Sequence, residues 1–158
     1  MHIRRATMSD TDAIYQLIKH YALEGKLLSR TYASIYENLQ NFYVADEGGA
    51  VAGVASLHIL DKDLAEIRSL AVDPAHTGKG IGKELVKQII YETNRLEIEN
   101  LIALTYQIGF FTKLGFDIVD KQSLPQKMWK DCINCPKLPS CDETAMLKKV
   151  WQTELAKQ

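Results

Sequence analysis

The chain has 158 residues, 46% hydrophobic and 25% charged, enough for one domain with a packed core and unlike a disordered chain. Its 19 Lys and Arg against 20 Asp and Glu leave a formal net charge of -1, which excludes the basic footprint of a nucleic-acid binder. No apolar run approaches the ~20 residues of a membrane-spanning helix. The opening MHIRRATMSD has charges but no apolar stretch after them, so no signal peptide is expected. Three cysteines, all between 132 and 141, are an odd count that argues against a secreted disulfide scaffold, and a cytoplasmic protein is expected.

In chain order, His2 to Thr7 reads as a short strand. Ser9 or Asp10 then caps a helix with Ile14, Leu17, Ile18, Tyr21 and Ala22 at helical spacing, which Gly25 ends. A loop, KLLSRT, leads to a weaker helix with Ile35 and Leu39 on one side. Phe42 to Ala45 and Ala50 to Leu60 read as strands joined across Asp46-Glu47-Gly48-Gly49, and Leu64 to Val72 as a third antiparallel strand stopped by Asp73-Pro74. The segment HTGKGIG opens a long helix whose buried side carries Leu85, Val86, Ile89, Ile90 and Thr93. A strand at Asn100 to Thr105, a short helix at Gln107 to Leu114 closed by Gly115, and strands at Phe116 to Val119 and Thr144 to Val150 complete the list. Antiparallel strands first and a β-loop-α-β-α-β half second predict an α/β fold, a single domain over 1–158 with a mixed, mostly antiparallel sheet flanked by helices on both faces.

The segment Thr77-Gly78-Lys79-Gly80-Ile81-Gly82 stands between a strand and a helix N-terminus. Such a terminus has unpaired N–H groups and a partial positive charge, and glycines let the backbone approach an anion closely, so phosphate binding is the chemistry it suits. A flexible solvent loop is the plainer alternative. A dinucleotide fold would want G-x-G-x-x-G at the start of a βαβ unit, whereas this loop follows an antiparallel meander; a Walker loop would need G-K-[ST], which is missing.

LAVDPAHTGKGIGKEL resembles the acetyl-CoA motif of the GNAT N-acetyltransferases, in which a strand ending L-x-V-x-P leads to Q/R-x-x-G-x-G/A and a long helix. FFTKLGF is similar to the closing aromatic-x-K-x-G-F signature, so the likeness spans roughly residues 40 to 120. Thr77 departs from the usual Gln or Arg. The resemblance implies acetyl-CoA as co-substrate, with the backbone of Leu70, Ala71 and Val72 pairing with the pantetheine arm. It also implies that Thr77, Gly78, Lys79, Gly80, Ile81 and Gly82 cradle the pyrophosphate.

Acyl transfer from a thioester to an amine needs a proton acceptor, donors for the oxyanion and a leaving thiolate. Glu66 is the candidate base, on the strand where many family members place a carboxylate. Strand alternation puts it on one face with Arg68, opposite Ala65, Ile67 and Ser69; the alternative is a surface Glu–Arg pair. A backbone N–H near Leu70 is the oxyanion donor that the resemblance implies. Phe111 stands where many members carry the Tyr that reprotonates the thiolate and is expected beside the cofactor. A phenyl ring cannot supply the proton, which leaves Tyr106 as a candidate acid, a buried aromatic as its other reading, and unaided departure of a thiolate of pKa about 8.5 as a third course.

LLSRTYASIYENLQNFYVAD, AEIRSLAV, LTY followed by FFTKLGF, and SLPQK look like the acetyltransferase domain of bacterial N-acetylglutamate synthases, where an aromatic also replaces the Tyr acid. That match implies L-glutamate as acceptor, a role in arginine biosynthesis, and Arg30 pairing with an acceptor carboxylate, with Arg68 or Lys127 in support. A solvated loop arginine is the other reading of Arg30. No stretch here corresponds to the amino-acid-kinase-like domain of longer synthases, so arginine feedback through one is not expected. Another small amine or a protein amine as acceptor, or a non-catalytic acetyl-CoA-binding module, are the competing functions. The partner expected is a small-molecule amine, with a homodimer left open and no nucleic acid or membrane. In the Cys-containing C-terminal segment at 129–143, Cys132-x-x-Cys135-x5-Cys141 suggests metal or redox chemistry; no second Cys pair or nearby His supplies a fourth ligand, which leaves His2, Asp142 or a water, small apolar packing explains the thiols as well, and no metal is predicted.

Overall fold

A computed structural model describes residues 1–124 and 142–152. β1 (His2–Arg5) runs antiparallel to β2 (Phe42–Glu47), and β2 to β3 (Ala50–Asp61). β4 (Leu64–Val72) follows, with β5 (Asn100–Thr105) parallel to its first three residues. β6 (Asp117–Val119) and β7 (Thr144–Lys149) are antiparallel to each other, and β7 is antiparallel to β5. The sheet has seven strands in the order β1-β2-β3-β4-β5-β7-β6. It is flanked by helices α1 (Thr11–Leu23), α2 (Tyr32–Glu37), α3 (Ile81–Arg95) and α4 (Ile108–Lys113). This is the mixed, mostly antiparallel α/β architecture expected. The chain forms two compact units, one of Met1–Leu57 with Ile67–Ile89, the other of His58–Glu66 with the described residues from Ile90 onward.

In the first unit, Ile14, Leu17 and Ile18 of α1 form one core with Ile35 of α2, Phe42 and Val44 of β2, Val54 of β3 and Ala71 of β4. Each of these apart from Ala71 contributes about 1.5–3 kcal/mol by leaving water. Asp10 precedes α1 but does not cap it with its side chain. Its carboxylate is taken by the Arg4 guanidinium at 2.8 and 3.0 Å and by the Thr7 N–H at 2.7 Å. The same bond turns the chain at Thr7, so β1 stops at Arg5 rather than running to Thr7. Gly25 ends α1 with φ +73, its N–H donating to the Ala22 carbonyl at 3.0 Å. Thr31 caps α2 by accepting from the Ser34 N–H at 3.0 Å. The β2–β3 turn places Gly48 and Gly49 at φ +61 and +93, and Asp46 accepts from the Gly49 N–H at 2.7 Å.

Along α3, Ile81, Leu85, Val86, Ile89 and Thr93 are buried, while Ile90, expected among them, is half-buried. In the second unit, Leu64 and Ile102 pack with Leu60, Leu104, Val119 and Leu124. α4 closes with Gly115 at φ +90, the Gly115 N–H donating to the Thr112 carbonyl and the Phe116 N–H to the Phe111 carbonyl, two of the carbonyls at the helix's end.

Candidate active site

β4 carries the first candidate residue. Glu66 is only 4% exposed and pairs with Ile102 in the parallel ladder, so it is a buried carboxylate and not one half of a surface pair. Arg68, two residues on, is half-buried, and its carbonyl accepts from the Ser56 hydroxyl at 3.1 Å. Ser69, further along the strand, has a φ of +56, in the left-handed region. For a residue other than glycine that conformation costs on the order of 1 kcal/mol, and such residues gather at functional sites. The parallel ladder to β5 covers Leu64, Ala65 and Glu66, and β4 continues past it to Val72. Ala71 is buried in the α1 core; Leu70 and Val72 are half-exposed.

The end of β4 is pinned from two sides. The Asp73 N–H donates to the Ala52 carbonyl of β3 at 2.8 Å, and the Tyr21 hydroxyl of α1 donates to the Val72 carbonyl. Asp73 then caps a single 3-10 turn at Pro74–His76 by accepting from the Ala75 N–H at 3.0 Å, and the Thr77 hydroxyl donates to the Pro74 carbonyl at 3.1 Å. Gly78 and Gly80 both have positive φ, +82 and +78, with nothing within 4 Å of where a Cβ would stand. The Glu84 N–H closes the first turn of α3 onto the Gly80 carbonyl at 3.1 Å. The N–H groups of Ile81, Gly82 and Lys83 therefore have no carbonyl one turn earlier in their own helix, and they lie at its positive end. Open space over two glycines beside such donors fits a pyrophosphate. Thr77 and Lys79 are exposed beside them, whereas the Ile81 side chain is 2% exposed, so Ile81 can serve an anion only through its backbone.

Arg30, Arg68 and Leu70–Gly82 belong to the first unit; Glu66, Tyr106 and Phe111 belong to the second. Arg30 is half-buried and directly precedes Thr31, the cap of α2. Tyr106 is not a buried aromatic. It is 36% exposed at the end of β5, and its hydroxyl donates to the Asp142 carboxylate at 2.7 Å. Phe111 is 3% exposed, edge-on to Phe110 and Phe116 at 5.0 and 5.1 Å between ring centres. Lys127, Cys132, Cys135 and Cys141 lie outside the described residues. Among the described residues no group of three or more His, Cys, Asp or Glu side chains is placed to hold a metal ion.

Sequence reasoning missed Ser69, Tyr21 and Gly53, and weighed Asp142 only as a fourth ligand for the cysteines. Serine carries no signal for a positive φ, and Tyr21 looked like one more apolar position of α1. Gly53 sits mid-strand; a Cβ there would come 2.8 Å from Cγ2 of Ile81 and 3.3 Å from the Ala71 carbonyl oxygen. A glycine inside a strand marks such a close approach, and that signal was legible.

The open glycine loop feeding the start of α3 suits a phosphate-bearing ligand. The sequence profile of the Acetyltransferase (GNAT) family matches residues 11–116. An uncharacterized N-acetyltransferase of Chlorobaculum tepidum is 40% identical over 92% of this chain and 94% of its own length. An amino-acid acetyltransferase of Mycobacterium tuberculosis is 41% identical over 75% of this chain and 69% of its own length. Among solved structures, a Mycobacterium tuberculosis protein in complex with CoA and NLQ superposes with a TM-score of 0.83 at 32% identity, over 94% of this chain and 99% of that one. The N-acetylglutamate synthase of Neisseria gonorrhoeae, complexed with coenzyme A and N-acetyl-glutamate, gives 0.86 at 26% identity over 96% of this chain, which spans 35% of the synthase. This chain belongs to the GNAT acetyltransferase family. It is an acetyl-CoA-dependent N-acetyltransferase with the seven-stranded GNAT fold.

Proposed function

We propose that this acetyltransferase acts on the α-amine of L-glutamate. The observation that carries the reading is the chain's 41% identity to an amino-acid acetyltransferase, supported by its likeness to a synthase whose structure holds N-acetyl-glutamate. Acetyl-CoA supplies the acetyl group as a thioester. Leu70, Ala71 and Val72 offer backbone groups to the pantetheine arm, and the Thr77–Gly82 loop with the start of α3 holds the pyrophosphate. Phe111, buried against Phe116, has no proton to donate and is read only as a cofactor-binding aromatic.

In this reading Glu66 accepts the ammonium proton through water, so that the neutral amine attacks the thioester carbonyl. The new C–N bond forms, the oxyanion is stabilised by a backbone N–H near Leu70, the extra proton on the attacking nitrogen is lost to water, and the C–S bond breaks as thiolate leaves, leaving a neutral amide. Tyr106 is the candidate donor to that thiolate, its hydroxyl turning away from the Asp142 carboxylate, to which it donates at 2.7 Å, and regaining its proton from water. Arg30 pairs with an acceptor carboxylate through its planar fork, and Arg68 adds a second cation. Such an activity would serve arginine biosynthesis in the cytoplasm; among the described residues no helix is long and apolar enough to cross a membrane.

The test is Arg30→Ala. Losing a charge-assisted bidentate contact costs roughly 2–4 kcal/mol, or about 30- to 1,000-fold in kcat/KM for glutamate. The acetyl-CoA KM stays within about twofold of wild type. An unchanged glutamate KM would remove Arg30 from the acceptor site.

A further inference from the structure

The Val72–Asp73 peptide fixes a direction. In a planar trans peptide the carbonyl of one residue and the N–H of the next point opposite ways. The Asp73 N–H points at β3, where it donates to Ala52, so the Val72 carbonyl points away from β3. The donor it meets there is the Tyr21 hydroxyl, fifty-one residues earlier in the chain. Tyr21 thus places a phenol on the edge of β4 that faces away from β3, beside the last of the three residues whose backbone is read as the rail for the pantetheine arm.

We propose that Tyr21 is a cofactor-binding residue, its hydroxyl accepting an amide N–H of the pantetheine arm while it donates to the Val72 carbonyl. The inference rests on the rail reading of Leu70–Val72 and adds a side-chain contact to it. A phenol has one proton to donate and two lone pairs. With the proton committed to Val72, the oxygen can only accept from anything else that reaches it. The two secondary amides of pantetheine each bring an N–H, so their polarity matches. The ring is held for the purpose: Tyr21 packs against the core of Ile14, Leu17 and Ile18, and His20 meets it edge-on at 4.8 Å. Burial, with Glu24 nearby, pushes the phenol up from its ordinary range, which keeps the proton in place at working pH. A phenylalanine here would fill the same space and leave the Val72 carbonyl and the ligand N–H without this oxygen.

The experiment is calorimetric titration of wild-type protein and Tyr21→Phe with two ligands, CoA and adenosine 3′,5′-bisphosphate, which lacks the pantetheine arm. Tyr21→Phe should weaken CoA about five- to thirtyfold and leave the bisphosphate within about twofold. Unchanged CoA affinity overturns the proposal. Equal weakening of both ligands also overturns it, because Tyr21 would then act on the fold and not on the arm. Wild-type protein binding CoA no tighter than the bisphosphate would refute the rail reading itself, and the Tyr21 contact with it.

Discussion

Gly53 of β3 lies directly beneath Ile81, the first residue of α3: a Cβ on the glycine would come 2.8 Å from the isoleucine Cγ2 and 3.1 Å from Cδ1 of Leu85. The missing side chain lets the helix N-terminus settle onto the sheet, and the same helix N-terminus presents the N–H groups read as the pyrophosphate site. A strand glycine of β3 is therefore part of the site's support, although it touches no ligand.

Gly53→Val should push Ile81 and Leu85 off the sheet, at about 1–3 kcal/mol for overpacking. Thermal unfolding should show a fall of several degrees, and calorimetry a matching loss of CoA affinity. Unchanged melting with unchanged affinity would mean that α3 can shift freely at its first turn.

Gly80→Val should damage binding more than stability. The residue has φ +78 and open space around it, so a β-branched side chain meets backbone strain of roughly 1–2 kcal/mol without a clash inside the protein. Its Cβ would occupy the space read as the phosphate site. The expected result is a folded protein with CoA affinity down at least tenfold; a folded variant with wild-type affinity would take the pyrophosphate off this loop.

Glu66→Gln should keep CoA affinity and lower kcat about 10²-fold or more, since the amide retains the shape and cannot accept the proton. Raising the pH should recover part of the rate by supplying neutral amine from solution. Activity near wild type at neutral pH would make Glu66 a structural carboxylate.

Arg4 and Asp10 set the expected response to acid. The Arg4 guanidinium holds the Asp10 carboxyl below its ordinary value, against an opposing effect of burial. The proton affinity is lower in the folded state than in the unfolded one, so this pair's contribution is fully present above about pH 4, the unfolded value, and is lost as pH falls through the lower folded value. Arg4→Ala should cost roughly 1–3 kcal/mol at pH 7 and make the remaining stability less sensitive to acid below pH 4. Parallel melting curves for the two proteins from pH 6 to pH 3 would contradict the assignment.

Much of this was legible in the sequence because local signals agreed. The bounds of β4 and β5 follow from apolar runs bracketed by turns, and Gly25, Gly48, Gly49 and Gly115 all adopt the positive φ that a helix end or tight hairpin demands. What escaped was set by contacts distant in the chain. Asp10 looked like a helix cap because nothing local shows that Arg4 will claim its carboxylate. Ser69 takes a positive φ that serine itself does not signal. Glu66 could be read as a surface residue because burial on both faces of β4 depends on elements that arrive later in the chain. Tyr106 and Asp142 meet only once β5 and β7 are brought side by side.

The most direct measurement of the central claim is a CoA-release assay of the purified protein with acetyl-CoA against all amino acids and common polyamines, with the acetylated product identified by mass. L-Glutamate should give the highest kcat/KM and exceed L-glutamine at least tenfold, since the amide removes the charge that Arg30 is read to bind. A polyamine, an uncharged amine or a protein N-terminus as the best acceptor would contradict the glutamate reading.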